Sequence, residues 1–304
     1  MAKNQSLRVA TKAKNDEFYT RIEDVSEELK HYRNHFKDKT VFCNCDDPTW
    51  SAFWKYFHLN FNELGLKKLI STHYDKEVPT YKMEYFGEND NDVEVGTITP
   101  LEGNGDFRNA ECIELLKEAD IVVTNPPFSM AREYVAQLME YKKQFLIIGD
   151  LNWISYKEIF PLLKDNEIWL GYNGVKQFIQ PDGSLKKFGN KLWYSNLDIP
   201  KRHEKLILWK EYSAEEFPKF DNYEAINIDK TAEIPKDYNG AMGVPITYMN
   251  YHNPEQFEII DGLHRYSLFD LCGTNEHIRT NRLEATDVNG KSKYFRIVIR
   301  RIDI

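Results

Sequence analysis

Short aliphatic runs alternate along this chain with longer stretches whose apolar positions recur every three or four residues. "KTVFCNCDDP" (39–48), "LKKLISTHY" (66–74), "DIVVTN" (120–125) and "QFLIIGD" (144–150) each contain a run too short for a helix and read as strands. Between them, "IEDVSEELKHYRNHF" (22–36) puts Leu29, Tyr32 and Phe36 at helical spacing, and "TWSAFWKYFHLNFNELG" (49–65) is an aromatic helix that stops at Gly65. "NAECIELLKEA" (109–119) and "FSMAREYVAQLMEY" (128–141) are two more helices, and "SYKEIFPLLKDN" (155–166) with "EIWLGY" (167–172) adds a helix–strand pair. Such alternation predicts βαβ units and an α/β fold with a mainly parallel sheet. The polar tract from 75 to 99, with "YKMEYF" and "VEVGTI", reads as a hairpin insertion.

After residue 172 the rhythm changes. "KQFIQPDGSLKKF" (176–188) predicts a hairpin about Pro-Asp-Gly-Ser, and "KLWYSNLDI" (191–199) predicts one more strand. Turn-rich sequence follows, as in "EEFPKFDNY", "KDYNGAMGVP" and "YHNPEQ". The expected division is a first domain over 1–198 and a second region over 199–304, within a chain of 304 residues.

Composition narrows the class. Hydrophobic residues make up 41% and aromatic ones 14%, which fits a packed globular protein. No apolar run approaches the roughly 20 residues that span a bilayer, and the N-terminus lacks the apolar core of a secretory signal. Four cysteines in so long a chain do not build a disulfide framework, so the cytoplasm is the expected compartment. A net charge of −8 counts against non-specific nucleic-acid binding. Residues 1–14 carry four basic and no acidic side chains, and "VNGKSKYFRIVIRRI" (288–302) carries five and none. Each is either a solvated face or a local contact for phosphates.

In an open parallel sheet, ligands bind at the carboxyl ends of the strands. Three unusual segments fall there: "CNCDDP", "GNGDFR" (103–108) and "TNPPFS". In the last, Asn125 and the Pro126 carbonyl offer two acceptors for an exocyclic amine, and the ring of Phe128 offers a stacking face. Pro127 stiffens the turn between them. The other reading is a capped turn, with Asn125 as N-cap, proline at the first helical position and Phe128 in the core. Asp106 could accept from a second amino group and Phe107 could cover a second flat ring, or the pair is an Asx-type helix start. Cys45, Asp46 and Asp47 could hold a cationic group. A zinc half-site at Cys43 and Cys45 lacks a matching Cys/His pair, so no metal is expected. A Walker-type phosphate loop, a Gly-x-Ser-x-Gly elbow and zinc-deaminase signatures are all missing from the sequence.

Taken together, these residues resemble the N6-adenine DNA methyltransferases, most closely the EcoRI-type modification methyltransferases. The resemblance covers "KNDEFYTR" (14–21), "VFCNCDDP" (41–48), "LGLKKLI" (64–70), "GNGDFR", "ADIVVTNPPFS" (119–129), "FLIIGDLNWISYKEIF" (145–160), "EIWLGY", "NYEAINIDKTAEIPKDYNGAMGVPIT" (222–247) and "YFRIVIR". It implies a seven-stranded, mostly parallel sheet, S-adenosylmethionine as donor, and double-stranded DNA as partner. Phe18, Tyr19 and Thr20 match the segment bordering the donor's methionine moiety. Cys45, Asp46 and Asp47 match the end of the first strand, and Asp106 with Phe107 matches the site of the donor's adenine. Asn125, Pro126, Pro127 and Phe128 match the catalytic box. The usual glycine-rich turn after the first strand is replaced here by Cys-Asp-Asp-Pro. The resemblance further implies a target-recognition role for the C-terminal region, a flipped-out adenine, a restriction–modification setting and GAATTC as the first candidate site. RNA adenine methylation, protein glutamine methylation (which favours Tyr after the prolines) and a non-catalytic DNA-binding relic are the alternatives.

Overall fold

The computed structural model describes residues 19–45, 47–75, 79–88, 91–93, 95–180, 183–263 and 286–302. The chain divides into two compact units, residues 1–150 with 171–197 and residues 151–170 with 198–304. It leaves the first unit after Asp150, returns at Gly171 and leaves again after Leu197.

In the first unit, β1 (Tyr19–Thr20) leads into α1 (Ile22–Leu29). The helix is shorter than its apolar spacing suggested, yet Leu29, Tyr32 and Phe36 are all fully buried. A turn and a short 3-10 segment (Arg33–His35) carry the last two of these into the core. The aliphatic β2 (Thr40–Cys43) is buried along its whole length. Ser51 then caps α2 (Ala52–Leu59), its Oγ accepting from Phe53 N at 3.1 Å and Trp54 N at 3.2 Å. The helix breaks at Asn60, continues as α3 (Phe61–Leu64) and ends at Gly65 with φ +65°. Next come β3 (Lys68–Thr72), the hairpin β4 (Tyr81–Tyr85) and β5 (Thr97–Pro100), α4 (Ala110–Glu118), β6 (Ile121–Thr124), α5 (Ala131–Glu140) and β7 (Gln144–Asp150).

Within the first-unit sheet, β7, β6, β2 and β3 run parallel, and the β4–β5 hairpin adds antiparallel strands at one edge. The other side is built by two long strands, β8 (Trp169–Ile179) and β9 (Leu185–Ser195), with β9 antiparallel to β7. Each 11-residue strand joins two shorter segments read separately from the sequence, because Gly174 and Gly189 interrupt the apolar pattern without bending the chain out of the ladder. The order is β1-β8-β9-β7-β6-β2-β3-β4-β5. Among the described residues the sheet has nine strands, where seven were expected. The central strands are covered on both faces, as a parallel sheet requires.

At the β8 edge, Glu28 of α1 is fully buried. Its carboxylate accepts from the Tyr172 and Asn173 backbone N–H groups at 2.8 Å each and from the Tyr32 hydroxyl at 2.9 Å.

In the second unit, α6 (Phe160–Lys164) begins with Pro161 in its first turn. A four-stranded sheet has the order β10 (Ile226–Asn227), β11 (Met242–Pro245), β15 (Arg296–Arg301), β12 (Phe257–Leu263). A separate hairpin, β13 (Asp287–Val288) and β14 (Lys291–Ser292), turns through Asn289 and Gly290, both at positive φ as a type I′ turn needs. The basic run at 288–302 lies largely in this strand and hairpin. Arg296 is buried and pairs with Asp229, Lys293 pairs with the same Asp229, and Arg300 pairs with Glu258. The other basic run, residues 1–14, lies outside the described residues. Among the described residues, no helix is long and apolar enough to cross a membrane.

Candidate functional site

Hydrogen bonds between neighbouring strand ends assemble the site. The Ser71 hydroxyl donates to the Cys43 carbonyl at 3.0 Å and that of Thr72 to the Asn44 carbonyl at 3.2 Å, tying the exit of β3 to that of β2. Cys45 N–H donates to Thr124 Oγ1 at 3.2 Å, tying β2 to the last residue of β6. The "GNGDFR" loop is held against the exit of β3, where Asp75 N–H donates to the Asn104 carbonyl at 3.2 Å. Gly105 is required there: its φ is +75°, and an added Cβ would lie 2.2 Å from the His73 carbonyl oxygen. Phe107 is buried and meets Tyr134 edge-to-face at 5.0 Å, and the Tyr134 hydroxyl donates to Asn44 Oδ1. The segments around Cys45, Asp106 and Asn125 therefore lie together at the carboxyl ends of β2, β3 and β6.

The acids of this side are already engaged. Asp47 accepts from Thr49 N at 2.9 Å and from the Tyr81 hydroxyl at 3.2 Å, and its Oδ2 is 3.0 Å from His73 Nδ1. Burial, with the Asp47 carboxylate beside it, pushes the Tyr81 phenol up to about 12. Asp106 takes Arg108 in a two-pronged contact, Nε at 2.9 Å and Nη2 at 2.7 Å, and that hydrogen bonding raises the guanidinium above its usual range.

The Asn-Pro-Pro-Phe turn follows β6 directly. Asn125 is not the cap of the next helix: α5 starts at Ala131 with Met130 before it, and neither α5 nor the 3-10 turn Phe128–Met130 has a side-chain cap. Phe128 is half-buried rather than lost in the core. Its ring meets Phe178 edge-on at 6.2 Å, and the Lys191 ammonium lies 4.0 Å from its centroid. Lys191 is buried and pairs with Asp150 Oδ2 at 2.6 Å, which also accepts from Asn190 Nδ2 at 2.7 Å. Sequence reasoning missed Asp150, Asn190 and Lys191. The available signal was an acid closing the buried run "FLIIGD" at a strand's carboxyl end.

Tyr19 and Thr20 sit apart from Cys45, Asp47 and Asp106. Their strand pairs with β8, Thr20 opposite Phe178 and Tyr19 opposite Ile179, so their link is to the Phe128 side. Phe18 and Asp46 lie outside the described residues. In the second unit, Asn166, Trp169, Arg202 and His252 help line a cavity of about 10 Å³, the size of one water molecule and too small for a nucleoside.

The family described as "Adenine-specific methyltransferase EcoRI" matches residues 6–302, nearly the whole chain. This chain belongs to that family. It is 45% identical to the Type II methyltransferase M.EcoRI of Escherichia coli, across 98% of this chain and 97% of that one. It is 39% identical to M.MgeORF184P of Mycoplasma genitalium (97% and 98% covered) and 39% identical to M.MpnI of Mycoplasma pneumoniae (96% and 97%), both Type II methyltransferases. No solved structure matches at a significant level. The chain is an adenine-specific DNA methyltransferase of the EcoRI type, and its mixed α/β sheet is consistent with a methyltransferase fold. Within this family the engaged acids and the half-buried Phe128 acquire candidate roles.

Proposed function

We propose that this EcoRI-type methyltransferase transfers a methyl group to N6 of an adenine rotated out of duplex DNA, with S-adenosylmethionine as donor. The observation that carries this reading is the Cys45–Thr124 hydrogen bond. It fixes the Asn-Pro-Pro-Phe turn beside the exit of β2, so an acceptor for an amine and a holder for a donor share one end of the sheet. Asn125 Oδ1 and the Pro126 carbonyl would take the two amino hydrogens, and Phe128 would stack on the purine. The paired prolines keep the acceptors from rotating away.

The residues present suit the donor. Asn44 Nδ2 and Thr20 Oγ1 are buried with no hydrogen-bond partner among the described residues, one beside Cys45 and the other in β1. A buried polar atom left in this state is costly unless a ligand completes it. Cys45, Asp47, Asp106 and Phe107 would line the β2–β3 side of the pocket, with Tyr19 and Thr20 on the β8 side. Phe18 and Asp46 are assigned to the same pocket on the resemblance alone. When bound, S-adenosylmethionine supplies an electrophilic methyl group on a sulfonium. This chain's part is to orient the amine toward that carbon and to exclude water, which positioning and fixed dipoles accomplish without a covalent step.

The first unit would carry the donor site and the second the reading of sequence, in a cytoplasmic restriction–modification enzyme. The 45% identity to M.EcoRI supports GAATTC as the first target to try. Methyl transfer to plasmid DNA followed by single-molecule mapping of modified bases tests base, position and sequence context in one run. Asn125→Ala should lower turnover about 10²–10³-fold with donor affinity kept; wild-type turnover in that variant would remove Asn125 from the mechanism.

A further inference from the structure

We propose that the small cation-lined cavity of the second unit is a contact site for a backbone phosphate of the DNA duplex. The inference rests on the reading above, in which the second unit engages DNA. On a chain with a net charge of −8, the cations lining this cavity are Lys201 and Arg202, and no carboxylate joins them among the described residues. The Arg202 guanidinium stands 3.7 Å from the centroid of the Trp169 ring, which lines the cavity too. Such stacking holds the planar fork in one orientation. One prong is taken: Nη1 meets Asp198 Oδ1 at 3.3 Å, and that carboxylate is 63% exposed and screened by solvent. Arg202 Nε is buried and has no hydrogen-bond partner among the described residues. A guanidinium left in this state calls for an oxygen acceptor.

The neutral wall is set to donate as well. His252 is buried, and burial together with the Arg202 charge pushes its imidazole down to about 4, so the ring is neutral at physiological pH. One tautomer then serves both neighbours: the buried Tyr248 hydroxyl donates to Nδ1 at 3.0 Å, and Nε2–H donates to Asn166 Oδ1 at 3.3 Å. With its oxygen spent, Asn166 has an amide NH2 to offer the cavity. The space of about 10 Å³ holds one oxygen atom. A phosphate borne on a polymer can present one non-bridging oxygen from outside, whereas an enclosed nucleotide would not fit.

Contacts to phosphates carry no sequence information and release counterions, so salt dependence is the telling readout. The full chain is titrated with fluorescent duplexes, one bearing the mapped target sequence and one scrambled, across a salt series. Arg202→Gln should weaken both about tenfold at low salt and flatten the slope of log affinity against log salt by roughly one. Donor affinity and kcat at saturating DNA should stay at wild-type values. Arg202→Lys, which keeps the charge and loses the fork, should keep the slope and recover part of the affinity. The proposal is overturned if Arg202→Gln keeps wild-type affinity and slope, or if its loss is confined to the target sequence, which would make this a base contact. Should Arg202→Gln lower the melting temperature, Lys201→Gln, which leaves the stack on Trp169 in place, decides by the same slope. Wild-type enzyme run alongside keeps the two readings apart. If it methylates no adenine in duplex DNA, the functional assignment fails; if it does and the variants keep its slope, only the phosphate site falls.

Discussion

Two acid–base pairs flank the ends of the central strands, and they differ mainly in access to water. Asp106 and Arg108 form a two-pronged contact on the β3 side, with the Arg108 side chain 51% exposed. Asp150 and Lys191 meet on the β7 side at a similar distance, but the Lys191 side chain is 6% exposed. An exposed pair is screened by solvent and contributes roughly 0–1 kcal/mol. A buried pair cost free energy to desolvate and cannot lose one member without leaving a bare charge. The geometry is alike and the carboxylates are similarly exposed, 14% for Asp106 and 17% for Asp150, so the contrast lies in how exposed each basic partner is. On the proposed reading, Asp106 would exchange an exposed Arg108 for a donor's amino group at little cost, whereas Asp150 stays with the buried Lys191.

Three substitutions sharpen or break this contrast. The largest effect is expected for Lys191→Ala alone: about 3–5 kcal/mol of lost stability, read by chemical denaturation. A change below 1 kcal/mol there would erase the distinction between the pairs. Next comes Gly105→Ala, which forces a side chain into a left-handed conformation costing about 1–3 kcal/mol, before the His73 carbonyl moves aside. Because the strain sits in the loop that carries Asp106, calorimetry should show donor affinity weakened while the pairing around Asp150 is untouched. The smallest effect is Arg108→Ala, within about 1 kcal/mol of wild-type stability. Donor binding should be kept or modestly tightened, since Asp106 is released; a large loss of affinity would mean that Arg108 itself holds the ligand.

Much of the first unit was legible because local chemistry and tertiary role agree in it. The buried runs at Thr40–Cys43, Ile121–Thr124 and Gln144–Asp150 became strands, and the Gly65 stop ends the helical stretch between β2 and β3. Placement at the carboxyl ends of strands also pointed to the three loops that gather there. Long-range partners were not legible. Nothing in "GNK" announces that Lys191 will be buried against Asp150, because that pairing depends on the β7–β9 register. The helix expected over 22–36 stops at Leu29, since burial of Tyr32 and Phe36 needs apolar spacing and not a continuous helix. Asn289–Gly290 is a readable hairpin signal, but what holds the turn in place is not local. Its partner Asp221, which accepts from both backbone N–H groups at 2.9 and 2.7 Å, is 68 residues away from Asn289 in sequence.

Glu28 does at one edge of the sheet what a further strand would otherwise do. A large sheet ending in a strand with bare amides invites another chain to add itself there. Among the described residues, β1 pairs with Phe178 and Ile179 of β8, and the ladder by itself leaves the start of β8 without a strand partner on that side. One carboxylate from a helix occupies the amides of Tyr172 and Asn173. The fold thereby satisfies two edge amides with a single side chain where another strand would have been needed.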